Sequence, residues 1–234
     1  MKRISIIVHS AKLLVALAVL VVFAVASPAR ADNSRFIFGD SREGNVQLSL
    51  NGGATVVQAI QTGWYDQFGN PNPNGVGLHN YIAGICGSSD GCGNNSNFHD
   101  YFVFNIPTGV YTSATLQVFN PADGYRSPNP TETYNNWDVT TPISELGTVA
   151  GVGIFNDLGS GIQYAGTVVS AADNGVVVNI VLDAAAINAI NGDAGLQFAV
   201  GGAVVLGGTT PEPSTLLLFG SGITGLIGYL RRRK

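Results

Sequence analysis

Four carboxylates, Glu43, Glu132, Asp138 and Glu145, are the side chains of this sequence that one would first nominate for chemistry. Glycoside hydrolysis needs two such groups about 5 to 10 Å apart across a sugar bond, one as acid and one as nucleophile or base. Sequence spacing alone brings no two of them together, and numerous acidic side chains are mostly solvated. A secreted glycoside hydrolase is therefore the alternative reading, and a protein that is not an enzyme is the favoured one. His79 and His99 are the only histidines after the first 31 residues, and neither sits in a recognisable motif. A serine nucleophile elbow, a phosphate-binding loop and a zinc-binding H-E-x-x-H are all missing. Gly52-Gly53, Gly201-Gly202 and Gly207-Gly208 lack the strand-to-helix setting of a dinucleotide fingerprint and read as turns or sheet-edge bends.

Binding without catalysis has better candidates. Aromatic faces beside polar groups suit sugars, and Trp64-Tyr65-Asp66, Tyr125 and Tyr134-Asn135-Asn136-Trp137-Asp138 offer them. Trp137 reads as core, because Trp-Asp-Val enters a strand. Trp64 lies next to a Gly/Pro/Asn loop and divides evenly between core and platform, so Trp64 and Tyr65 are the candidate glycan contacts. Asp90, Asn94, Asn95, Asn97 and Asp100, with Asn156-Asp157 elsewhere, carry oxygen ligands of the kind Ca²⁺ takes. The D-x-D-x-D-G loop is absent, so a structural calcium is a secondary candidate and no cofactor is expected.

Cys86 and Cys92 are the only cysteines. In an oxidising compartment they are expected to form a small-loop disulfide that pins a Gly/Ser/Asn-rich turn. Zinc would require more ligands than two cysteines and the nearest histidines supply, and free thiols are the third possibility.

These residues need a scaffold, and short apolar or alternating runs separated by Gly, Asn and Pro supply it. Strands are predicted at residues 36–38, 46–50, 55–60, 101–106, 114–119, 162–169, 176–182 and 196–205. Ala114, Leu116 and Val118 alternate strictly with Thr115 and Gln117, as in a half-buried antiparallel strand. Residues 69–75 and 120–124 carry turn chemistry. One helix is expected over 184–190, capped by Asp183 and stopped near Gly192. The fold class is all-β, an antiparallel β-sandwich of jelly-roll type with one short connecting helix. Phe102-Val103-Phe104-Asn105-Ile106-Pro107 followed by Tyr111 to Val118 resembles the strand–loop–strand phrase of jelly-roll modules in secreted bacterial proteins, some of them carbohydrate-binding. That resemblance covers mainly core positions.

Both ends of the chain read as addresses. Lys2, Arg3 and Lys12 precede an apolar stretch from Leu13 to Ala26, then Ser27-Pro28 and the small-residue site Ala29-Arg30-Ala31. This is a secretory signal peptide over residues 1–31, with the mature chain starting at Asp32; an uncleaved anchor is the alternative. At the other end, residues 214–230 carry no charge, and their 17 residues at about 1.5 Å each give about 26 Å of helix, a short but workable membrane span. Arg231, Arg232, Arg233 and Lys234 follow and should stay on the cytoplasmic side, leaving the bulk of the chain on the other.

Pro211-Glu212-Pro213, the uncharged span and the basic end together resemble the PEP-CTERM sorting signal of Gram-negative bacteria. The resemblance implies recognition by an exosortase, a membrane-embedded cysteine-protease-like enzyme thought to process the tail. Pro211, Glu212 and Pro213 correspond to the recognition triplet and Arg231 to Lys234 to the stop; Thr210 stands where Val is frequent. A cell-wall sortase signal would need Leu-Pro-x-Thr-Gly, which is absent, and a glycolipid-anchor signal normally lacks the terminal Arg run. A stop-transfer helix that is never cleaved is the remaining rival.

Three segments follow: the signal peptide at 1–31, a β-sandwich domain at 32–207 and the sorting signal at 208–234. Between Asp32 and Thr210 three basic residues face fourteen acids, a formal charge of −11 against −4 for the whole chain, and no lysine occurs there. A nucleic-acid groove needs clustered basic side chains, so nucleic acid is excluded as a partner. The expected partners are signal peptidase, exosortase, the membrane through the tail, and exopolysaccharide. The expected location is the inner membrane before processing and the cell surface or extracellular matrix afterwards.

Overall fold

A computed structural model describes residues 34–39, 46–71, 80–92 and 95–206 of the chain. Ten strands run antiparallel to their neighbours: β1 (Arg35–Ile37), β2 (Gln47–Leu50), β3 (Thr55–Asp66), β4 (Ala83–Cys86), β5 (Ser96–Asn105), β6 (Ala114–Asn120), β7 (Thr131–Asp138), β8 (Gln163–Ser170), β9 (Val176–Val181) and β10 (Gln197–Val205). Their order is β8-β7-β10-β5-β3-β2-β6-β9, with β4 added on β5 and β1 on β4. The all-β class holds.

The long strand β3 joins the two layers. Its first residues, Thr55 to Gln58, pair with β2 in the smaller layer β3-β2-β6-β9. A register shift between Ala59 and Gln61 then redirects it, and Gln61 to Asp66 pair with β5 in the larger layer. A bulge of this kind bends a strand and lets it turn a corner between packed sheets. The strand expected over 55–60 runs on to Asp66. It continues because the polar Gln61 is taken up by the turn: its Nε2 donates to Leu146 O at 2.7 Å and to Tyr101 Oη at 3.1 Å.

The main core lies between the layers. Phe102, Phe104, Tyr134, Phe198 and Val200 from the larger layer meet Leu48, Leu50, Leu116, Val118 and Ile180 from the smaller one. Period-two alternation places these residues on one face. A second core covers the outer face of the larger layer, where Tyr65, Tyr101, Val103 and Ala199 lie under Leu146, Ile154, Phe155 and Leu158. That cover is the strap 139–161, which contains the short helix α1 (Val152–Asp157). Tyr65 Oη bolts it down, donating to Val149 O at 2.9 Å and accepting from Gly147 N–H at 2.8 Å. The expected helix is present as α2 (Ala184–Gly192), capped by Asp183, whose Oδ1 accepts from Ala186 N–H at 3.0 Å. The α-helices among the described residues thus number two where one was expected, since α1 carries no capping side chain to announce it.

Gly201-Gly202 corrects another expectation, for both lie in the middle of β10 rather than at a turn. A Cβ on Gly201 would stand 2.6 Å from Leu158 O, so the strap rests on bare backbone there. On the opposite face, a Cβ on Gly202 would stand 1.8 Å from Tyr134 Oη.

Candidate functional site

Residues from four separate segments meet in a cleft of about 590 Å³. Phe36 comes from β1, Trp64 from β3, Phe98 from β5 and Ile82 from the approach to β4; Cys86, Asp90 and Cys92 come from the disulfide loop, Asp123 and Arg126 from the turn after β6. A cleft of this size, walled by polar and apolar groups in nearly equal share, is large enough to admit a small ligand.

Each wall has a local reason to be where it is. Cys86 and Cys92 are bonded as a disulfide, closing the loop that carries Asp90. The Asp90 carboxylate takes the Arg126 guanidinium at 3.0 Å and the Ser34 hydroxyl, and Ser34 Oγ in turn accepts from Gly87 N–H at 2.8 Å. Arg126 is held from behind as well, because its backbone exchanges two hydrogen bonds with Phe36, at 2.9 and 3.0 Å. The Trp64 ring meets Phe98 edge-on, with centroids 4.9 Å apart at 83°. With Phe36, Ile82 and the two sulfurs they form an apolar cluster of their own, distinct from the main core.

The two expected glycan contacts part company here. Trp64 is half-buried and lines the cleft. Tyr65 is fully buried beneath the strap on the other face, so it offers no ring to a ligand. The cause is the pleat: Trp64 opposes Asp100 and Tyr65 opposes His99 on β5, and successive side chains of a strand point to opposite faces.

The nominated carboxylates do not converge on this cleft. Glu132 is buried and accepts from Asn129 Nδ2 at 2.8 Å and from Ser127 Oγ. Asp138 accepts from Ile162 N–H at 2.6 Å, Glu145 sits in the strap, and Glu43 lies outside the described residues. The calcium candidates scatter too. Asp90 is engaged by Arg126 and Ser34, and Asp157 takes the N–H and hydroxyl groups of Thr140 and Thr141. Asp100 is turned into the interior and Asn94 lies outside the described residues. Among the described residues no group of three His, Cys, Asp or Glu gathers as metal ligands.

Asp100 is the most perturbed acid in the fold. It is fully buried, Tyr134 Oη donates to its Oδ1 at 2.7 Å, and its Oδ2 has no protein partner. Loss of hydration pushes its pKa up to about 8, against the opposing effect of the Tyr134 hydrogen bond. His99 lies against the strap, its ring stacked on Phe155 at 3.8 Å and its Nδ1 2.7 Å from Phe155 O; burial lowers its pKa, so the ring is neutral.

Of the residues in the cleft wall, the sequence singles out Trp64 as a glycan contact, the two cysteines as a disulfide and Asp90 as a calcium ligand. It leaves out Phe36, Phe98, Asp123 and Arg126 as site residues, and no local signal marks them, because only the topology brings β1 and the turn after β6 beside β3.

Residues 209–234 match the PEP-CTERM protein-sorting motif. No curated protein and no solved structure matches the chain. The motif supports an exported protein that passes through a membrane-tethered precursor and is sorted by an exosortase. The sorting triplet Pro211-Glu212-Pro213, the span 214–230, the basic end Arg231 to Lys234 and the signal-peptidase site at Ala29, Ala31 and Asp32 all lie outside the described residues. No helix among the described residues is long and apolar enough to cross a membrane.

Proposed function

We propose that this exported, exosortase-sorted chain is a non-catalytic protein of the cell surface or extracellular matrix whose β-sandwich contacts exopolysaccharide. The observation that carries the reading is the place of Trp64 in the wall of a cleft that also holds fixed polar groups. Sugar rings present an apolar C–H face and a rim of hydroxyls, and an aromatic plate beside charged side chains meets both. The formal charge of −11 between Asp32 and Thr210 keeps such a protein soluble and unattached to nucleic acid.

A hydrolase remains the second reading, now favoured by a different pair of acids, since Asp90 and Asp123 both line the cleft. Both oxygens of Asp90 are already engaged, Oδ1 by Arg126 and Oδ2 by Ser34. One experiment separates the two. The full-length chain, purified in detergent, is incubated with exopolysaccharide from its own producing cells and sedimented. Co-sedimentation without new reducing ends is the expected result; reducing-end release would convert the protein into an enzyme, and a chain left in the supernatant would end the matrix reading.

A further inference from the structure

The charges of the cleft decide which sugars it can take. Arg126 is the only basic residue among the described lining residues, and its side chain is half exposed. Its charge is already answered by Asp90, whose side chain is only 8% exposed and is fixed from its far side by Ser34. Asp123 adds a second carboxylate, so the described wall carries one net negative charge. Among the described residues of the wall an anionic ligand would find no cation without a carboxylate partner and would meet repulsion from Asp123. The guanidinium has five N–H donors, and its pairing with Asp90 engages Nη1, so donors on the other nitrogens are suited to hydroxyl oxygens. Asp123 complements them as an acceptor. Trp64, half-buried, presents the dry surface against which the C–H face of a ring can lie, and the buried Phe36, Phe98, Ile82 and Cys86 back it from behind.

We propose that this cleft is a subsite for an uncharged pyranose residue of a polysaccharide, with Trp64 as stacking plate, Arg126 and Asp123 as hydroxyl contacts, and Asp90 as a positioning residue that both orients and neutralises Arg126. The inference rests on the matrix reading above and narrows it to one site and one ligand class. The disulfide loop gains a purpose in this scheme, since it delivers Asp90 to Arg126.

The test titrates the full-length chain in detergent with three hexasaccharides: an uncharged glucan, an oligogalacturonate and an oligoglucosamine. The uncharged glucan is expected to bind best and to change tryptophan fluorescence, and Trp137→Phe is expected to keep that change. Trp64→Ala should weaken glucan binding by about tenfold. Asp123→Ala, at an exposed position, should weaken it several-fold with unfolding temperature unaltered. Asp90→Asn should release the guanidinium, so that the oligogalacturonate gains at least about fivefold in a salt-sensitive way, a change of preference that mere loosening of the loop would not produce. Preference of the unaltered chain for either charged oligomer overturns the proposal, as does undiminished glucan binding by Trp64→Ala and Asp123→Ala. If those variants still sediment with native exopolysaccharide as the unaltered chain does, the matrix reading stands and the cleft is not its site. If the unaltered chain neither sediments nor binds any oligomer, both readings fall.

Discussion

Asp100, Tyr134 and Gly202 show how a single residue position can constrain a β-sandwich core. Gly202 lies between Asp100 on β5 and Asn136 on β7, directly opposite each, and its missing side chain is the space through which Tyr134 Oη reaches Asp100 Oδ1. Gly202→Ala would place a methyl inside that contact, and overpacking with loss of a buried hydrogen bond should cost more than about 2 kcal/mol in thermal or denaturant unfolding. The carboxyl itself makes a pH prediction. Its folded pKa of about 8 lies above the ordinary 3.8, so between those values the folded state holds a proton that the unfolded state has released. Stability from this group is therefore fully present below about pH 4 and is lost as pH rises toward 8, by at most about 1.4 kcal/mol per pH unit. His99 works in the opposite sense, because its lowered pKa favours the fold increasingly as pH rises toward 6.5, with no further gain above it. The diagnostic quantity is thus the difference between the unaltered chain and Asp100→Asn, which keeps the shape of the neutral acid. That difference should move in favour of the variant by at least about 2 kcal/mol between pH 4.5 and 7.5. A constant difference across that range would mean that Asp100 is hydrated.

Elements were legible in the sequence where they obey one local rule and illegible where tertiary contacts settle them. Strand β6 alternates cleanly because one face meets the core and the other solvent, and α2 announces itself through Asp183. Strand β7, Thr-Glu-Thr-Tyr-Asn-Asn-Trp-Asp, looks unlike a strand because it buries Glu132, Asn135 and Asn136. Only partners distant in sequence or at the neighbouring turn, such as Gly201 O for Asn136 Nδ2, make that burial tolerable. Strand β4 hid behind its glycine and cysteine, and the strap was invisible because its anchor, Tyr65, lies more than 70 residues before it in the chain. The strap offers a test at this scale. Tyr65→Phe removes the hydroxyl that serves Gly147, Val149 and Glu145, and should cost about 1 to 3 kcal/mol. Hydrogen exchange should rise first in residues 143–158, with β2, β6 and β9 unaffected. The disulfide loop is the second element whose role can be measured. Replacing Cys86 and Cys92 with serine reopens a loop of sequence separation 6, for which chain entropy gives about 2 kcal/mol.

At the scale of the whole molecule, the two ends and the middle obey different physics. Of the eleven basic residues, eight lie before Asp32 or after Thr210, so positive charge is concentrated at the ends while the middle is acidic and lysine-free. This division explains why the address could be read from sequence when the cleft could not. A sorting signal is recognised as a linear string, with triplet, apolar span and basic stop in order, whereas Trp64, Asp90, Arg126 and Asp123 become neighbours only after two layers have folded. It also separates sorting from folding experimentally. Replacing Pro211, Glu212 and Pro213 together by alanine leaves the apolar span and the basic stop unchanged, so membrane insertion should proceed as before while recognition by the exosortase is lost. Cell fractionation should then find the altered chain, its tail intact, in the inner-membrane fraction, and the unaltered chain beyond it. The retained chain should still bind glycan through its cleft, because no residue of the triplet lies in the wall described for it. Equal delivery of both chains to the surface would show that the triplet is not the recognised feature, and would shift attention to the span and its basic end.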